Sequence, residues 1–180
     1  MSKVRAALDT IGLGDLVHGG SGCYEVRLPA GSHVDVDDAL HFVEEAETAW
    51  RLGRLGPAVA AAATAAILAR RPFLVGERGA WLEQRRERLR STLLRALDVL
   101  VDGLDGGPYQ ADAFRYATEA LAVDPYRESA YVRLMRLHMR RGDRAEAIRI
   151  YERCRTLLSE DLGVGPSTHT QAAYHEAMNA

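Results

Sequence analysis

The side chains that could do chemistry in this sequence are scattered along it. Six histidines occur, His18, His33, His41, His138, His169 and His175. His169 and His175 come nearest to a ligand spacing, but no cysteine or carboxylate completes a set, so they read as structural or surface histidines. Glu44, Glu45 and Glu47, and Glu160 with Asp161, fall on solvated helix faces or in caps. Nothing apolar surrounds them to raise a pKa toward acid–base work. Gly19, Gly20 and Gly22 lie inside a hairpin, and no Lys-Ser or Lys-Thr pair is placed to reach a phosphate. These residues predict no catalytic group, no metal and no cofactor: the chain reads as a binder, not an enzyme.

Arginine is the residue type with a pattern. Arg85, Arg88 and Arg95 fall near one face of one helix, and Arg133, Arg136 and Arg140 follow i, i+3, i+7 on another. In an array of helix pairs the first helices line the concave side, so both stripes are expected to face one groove. Guanidinium groups at that spacing present forks to carboxylate or phosphate. Arg85, Arg88, Arg133 and Arg136 are therefore expected to hold an acidic peptide, a second copy of the chain or an anionic effector. Trp81 would stand at the mouth of the groove. The plainer reading is a solvated face balanced by Glu83, Glu87 and Glu128. The other large aromatics, Trp50, Tyr116, Tyr131, Tyr151 and Tyr174, read as core or inter-repeat packing.

The elements that must carry these residues are helical. Apolar spacing and Gly/Pro punctuation predict helices at roughly 36–51, 55–70, 79–103, 109–123, 127–141, 143–160 and 167–179. Ala113, Ala117 and Ala120 recur about 34 residues later as Ala147, Tyr151 and Cys154, the period of the tetratricopeptide helix pair. Ala58, Ala62 and Ala65 continue the ladder. The fold class that follows is all-α, a tetratricopeptide-like array of about three helix pairs in a right-handed superhelix. Its middle pair is irregular, with a long first helix and a glycine-rich turn from Gly103 to Pro108, and Tyr151 is expected in the seam between the second and third pairs. Ahead of the array, Ser2–Leu8 reads as the end of a helix. Val17 and His18, a Gly-Gly-Ser-Gly turn and Cys23–Leu28 then read as a short β-hairpin. The boundary is expected at 34/35.

Composition sets the outer limits. The chain has 180 residues, 47% hydrophobic and 27% charged, which suits a globular domain with a real core. A net charge of −2 argues against a free-standing nucleic-acid binder, because phosphate affinity comes from accumulated Lys and Arg. Cys23 and Cys154 share no motif, there is no secretory leader, and the apolar stretch from Pro57 to Ala69 is too short to span a bilayer. A cytoplasmic protein with no membrane partner is expected.

The run ALAVDPYRESAYVRLMRLHMRRGDRAEAIRIYERCRTLLSEDLGVGPSTHT resembles the bacterial transcriptional activator domain of SARP-type regulators. RPFLVGERGAWLEQRRERL and VDVDDALHFVEEAE support the resemblance. KVRAAL and GGSGCYEVRLP look like the end of the recognition helix and the wing of an OmpR-like winged helix. The resemblance implies a transcription regulator in which the winged helix holds DNA. The helical domain would serve dimerisation, signal input or contact with RNA polymerase or a sigma factor. It places Ser2, Lys3 and Arg5 on or near the recognition helix and His18 and Ser21 in the wing. It also implies that the chain starts inside the winged helix. The competing class is a stand-alone helical-repeat adaptor for an acidic peptide or anionic ligand.

Overall fold

The computed structural model describes residues 2–20 and 23–179, arranged as two compact units, 1–34 and 35–180. In the first unit, α1 (Ser2–Asp9) is followed by a 3-10 turn at Gly14–Leu16 and an antiparallel hairpin of β1 (Val17–Gly20) and β2 (Cys23–Val26). Its register pairs Val17 with Val26 and His18 with Glu25. Val17 is buried and His18 and Glu25 are exposed. Val26, opposite Val17, is 60% exposed, so the half-buried alternation expected of Tyr24, Val26 and Leu28 does not hold at Val26 and Leu28.

The second unit is helical: α2 (Asp35–Arg51), α3 (Leu55–Ala69), α4 (Ala80–Leu104), α5 (Gln110–Val123), α6 (Glu128–Arg140), α7 (Arg144–Leu162) and α8 (Thr168–Asn179). The ends lie within one or two residues of the expected ones. Consecutive helices pack antiparallel as three pairs, α2/α3, α4/α5 and α6/α7, and α8 closes the third. The small-residue ladder is what lets them approach. Ala58, Ala62, Ala65, Ala113, Ala117, Ala120, Ala147 and Cys154 are all buried, and a methyl or thiol in place of a long side chain brings neighbouring axes close. At the end of α7, Gly163 takes the left-handed conformation (φ 68°). Its N–H donates to the Ser159 carbonyl and that of Val164 to Leu158, both at 3.2 Å.

In the helical unit one expectation changes. Tyr151 is 8% exposed, but its ring stacks on Tyr174 with centroids 4.1 Å apart and planes 16° apart. With Val132, Met135, Ala147, Ala173 and Ala177 it forms a separate apolar cluster between α6, α7 and α8. Tyr151 therefore fills the seam to the closing helix, not the one between the second and third pairs. The repeat equates it with Ala117, which lies in the main core cluster. Gly103, the expected end of the third helix, is the penultimate residue of α4. A Cβ there would sit 2.6 Å from Cγ2 of Val59 on α3, so this glycine marks a close helix approach.

Candidate functional site

α4 organises the concave side. Its 25 residues make a rod of roughly 38 Å, since each residue rises about 1.5 Å. Two other first helices lie along it at different levels. α2 runs along it as far as Gly103, where Trp50 packs. Its ion pairs fall on the N-terminal part, where Arg85 reaches Asp37 at 3.6 Å and Arg95 forms a two-pronged bond to Glu47, both prongs 2.7 Å. α6 follows its C-terminal part. There Arg133 donates to both oxygens of Asp102 at 2.9 and 2.8 Å and lies 3.1 Å from Asp98. Arg127 also binds Asp98 at 2.5 Å, and Arg140 meets Asp105 at 3.1 Å. On the outer side, Arg70 of α3 clamps Glu119 of α5 at 2.6 and 2.8 Å.

These contacts set the ionisation of the seam. The hydrogen bond from Arg95 holds the Glu47 carboxyl below its ordinary value against the opposing effect of burial. Burial works against the Arg133 cation, but Asp102 and Asp98 outweigh it and hold the guanidinium more firmly protonated than usual. Asp105 is the opposite case: burial pushes its carboxyl up in spite of Arg140, and its Oδ1 is buried without a hydrogen-bond partner.

The two arginine stripes therefore meet α4 at different levels. Arg133 meets α4 at Asp98 and Asp102, which at helical rise is about 15–25 Å along α4 from Arg85 and Arg88. Sequence spacing gives the face a residue occupies but not the level at which the next helix docks. Arg133 is 20% exposed and committed to the seam. Arg136 is exposed and forms no ion pair among the described residues. Arg88 is likewise exposed and unpaired, whereas Arg85 is half-buried beside Asp37. Trp81 is 58% exposed and leans on Phe73, ring centroids 5.9 Å apart, near exposed Leu74 and Val75.

In the first unit, Lys3 is exposed on α1 and His18 is exposed on β1. Ser2 and Arg5 belong to α1, but their side chains, and Ser21 altogether, lie outside the described residues. Arg27 is held by Glu25 at 3.0 Å.

Sequence reasoning missed a cavity of about 290 Å³ between α2 and α4. Val36, Leu40 and Leu89 supply its apolar wall, and Arg85, Arg88 and Arg95 stand around it with Ser91 and Thr92. The signal was Thr92, a polar residue at a core position of α4 among Leu89, Leu93 and Ala96. Burial pushes the Cys154 thiol up to about 12, which leaves no reactive thiolate there. Among the described residues no three His, Cys, Asp or Glu side chains gather as metal ligands, and no helix is long and apolar enough to cross a membrane.

Glu128 joins two stretches that stand far apart in the sequence. Its Oε2 accepts from the Ser167 N–H at 2.7 Å and from the Ser167 hydroxyl at 2.8 Å, so the Asp-Pro-Tyr-Arg-Glu segment caps the segment that opens α8.

The family model of the bacterial transcriptional activator domain matches residues 34–177. Regulatory protein AfsR of Streptomyces coelicolor is 33% identical over 180 residues, covering 99% of this chain and 18% of the relative. This chain thus spans under a fifth of that protein. A solved structure of Mycobacterium tuberculosis EmbR in complex with a low-affinity phosphopeptide superposes with a TM-score of 0.85 at 19% identity, over 99% of this chain and 48% of that one. The tetratricopeptide-containing C-terminal domain of a Plasmodium falciparum FK506-binding protein superposes with a TM-score of 0.59 at 15% identity, over 82% of this chain and 93% of that one. At these identities the two structures speak to fold, and the fold is tetratricopeptide-like.

Proposed function

The chain belongs to the bacterial transcriptional activator domain family, a family of regulators and not of enzymes, and from that membership we propose that it is the helical-repeat domain of a SARP-type transcription regulator. The family match across residues 34–177 carries the reading. The 1–34 unit, with its helix followed by a two-stranded hairpin, then corresponds to the end of a recognition helix and the wing of an OmpR-like winged helix. Lys3 and His18 are exposed on those elements. DNA is the partner of the complete winged helix, and residues 35–180 make the protein contact that turns binding into activation.

Arg136 is the residue we assign to that contact. A solvated guanidinium with no carboxylate of its own on a rigid helix is pre-organised for an acidic segment of RNA polymerase or a sigma factor. Arg133, one turn earlier, is excluded because Asp102 and Asp98 already occupy it. The test is a promoter reporter driven by a full-length regulator carrying this domain. Arg136→Glu should abolish activation while binding to the operator persists. Activation undiminished by Arg136→Glu would remove α6 from the polymerase contact and send the search to Trp81 with Leu74 and Val75.

A further inference from the structure

The geometry points to a second binding site, in the cavity between α2 and α4, for a small organic acid: one carboxylate on a compact apolar body. The site goes beyond the regulatory reading above, and its test does not involve transcription.

The lining is divided by chemistry. Val36, Leu40 and Leu89 form an apolar wall, and the volume of about 290 Å³ is just under the range, about 300–1,000 Å³, of pockets that hold drug-sized ligands, which suits a compact one. Three arginines border it, but their charge is unevenly committed. Arg95 is saturated by the two-pronged bond to Glu47. Arg85 has a single long contact, 3.6 Å, to exposed Asp37. Arg88 has no carboxylate among the described residues. One guanidinium fork is thus left open beside an apolar wall, and the planar group that satisfies a single fork with two parallel hydrogen bonds is a carboxylate.

Thr92 is an independent sign. It is 4% exposed, lines the cavity, and has no hydrogen-bond partner among the described residues. The more exposed Thr64 and Thr118 donate instead to their own helices, to the Ala60 carbonyl at 3.1 Å and to Phe114 at 2.9 Å. The Thr92 hydroxyl is thus free to donate to a ligand oxygen held between Arg88 and Thr92. A ligand that is apolar throughout would leave both groups unsatisfied, and a cation would meet Arg88 and Arg85. Selectivity therefore runs acid over neutral over amine.

The experiment uses the 180-residue chain and three probes that share one ring system: 2-naphthoate, 2-naphthol and 2-naphthylmethylamine, titrated by calorimetry at pH 7. Naphthoate should bind saturably at one site, at least tenfold more tightly than naphthol, and the amine should show no saturation. Arg88→Gln should bring naphthoate down to the level of naphthol. Leu40→Trp, which fills the cavity from a partly exposed position, should remove binding of both. Arg149→Gln on α7 should change neither, and thermal midpoints check that each variant is folded. The proposal is overturned by absence of saturable naphthoate binding, by equal affinity for naphthoate and naphthol, or by wild-type affinity in either Arg88→Gln or Leu40→Trp. Because the readout is direct binding, a negative result leaves the regulator reading untouched. Failure of Arg136→Glu to affect activation likewise leaves this site untouched.

Discussion

Arg133 and Arg136 are one turn apart and look alike in sequence, yet their replacement by alanine should differ sharply. Arg133→Ala removes a side chain that is 20% exposed and leaves Asp98 and Asp102, at 19% and 35% exposure, side by side on α4 facing the seam. Breaking a fully buried ion pair costs about 3–5 kcal/mol, whereas an exposed pair is worth about 0–1 kcal/mol. This pair lies between those limits, and Arg127 remains to compensate Asp98, so the cost is set at about 2 kcal/mol. For a domain of this size that lowers the melting midpoint by roughly 4–8 °C, at about 2–4 °C per kcal/mol. Arg136→Ala removes an exposed, unpaired cation and should stay within about 0.5 kcal/mol. Urea unfolding followed by circular dichroism measures both. A double-mutant cycle of Arg133→Ala with Asp102→Ala should return a coupling of about 1–2 kcal/mol, because each single change leaves its partner uncompensated. Equal midpoints for the two alanine variants, or a coupling below about 0.5 kcal/mol, would refute the assignment of Arg133 to the seam.

Tyr151→Ala should cost about 3–5 kcal/mol and loosen α8 first, read as protease cleavage between α7 and α8 at a concentration that spares wild type. Gly103→Ala gains about 1 kcal/mol of helix propensity but drives a methyl to 2.6 Å from the stiff Val59 side chain. Overpacking costs about 1–3 kcal/mol, so a lowered midpoint is expected and a raised one would show that α3 and α4 can separate freely. Burial raises the Glu128 pKa, but the hydrogen bonds from Thr170 and Ser167 outweigh that and hold it below its ordinary value of 4.5. The depressed folded-state value means that its stabilisation is full above the unfolded value and fades as pH falls through the folded one. The midpoint gap between wild type and Glu128→Gln should therefore narrow from pH 6 to pH 3, and a constant gap would contradict the capping role.

Helix positions were legible because each helix carries its period and its stops, and the Ala58, Ala113 and Ala147 ladder located the pairs before any coordinates. The arginine roles were not, because an i, i+3, i+7 row on α6 looks the same whether water or another helix faces it. A usable signal was present in the carboxylates. Asp37 and Glu47 are spaced as Arg85 and Arg95 are, and Asp98, Asp102 and Asp105 make an acidic row on α4 opposite Arg127, Arg133 and Arg140 on α6. Matched rows of opposite sign on successive first helices mark a seam between helices. The cavity was harder to see, since it is formed by two helices far apart in sequence, and Thr92 was its one trace.

The ionic seams also limit what the concave side can do for a partner. Of the six arginines in the two stripes, Arg95, Arg133 and Arg140 are bonded to Glu47, Asp102 and Asp105, and Arg85 is shared with Asp37. Among these six, the guanidinium groups with no carboxylate of their own are Arg88 and Arg136, at two levels along α4. A continuous acidic strand laid along the groove would find one cation, then a run of neutralised pairs, then a second. Such a surface gives little long-range attraction, in keeping with the net charge of −2. Each remaining guanidinium can instead be read separately, Arg88 beside an apolar wall and Arg136 on an open helix face. That separation would let one domain take a small acid at its first seam and a protein contact at its second without the two competing for the same charge.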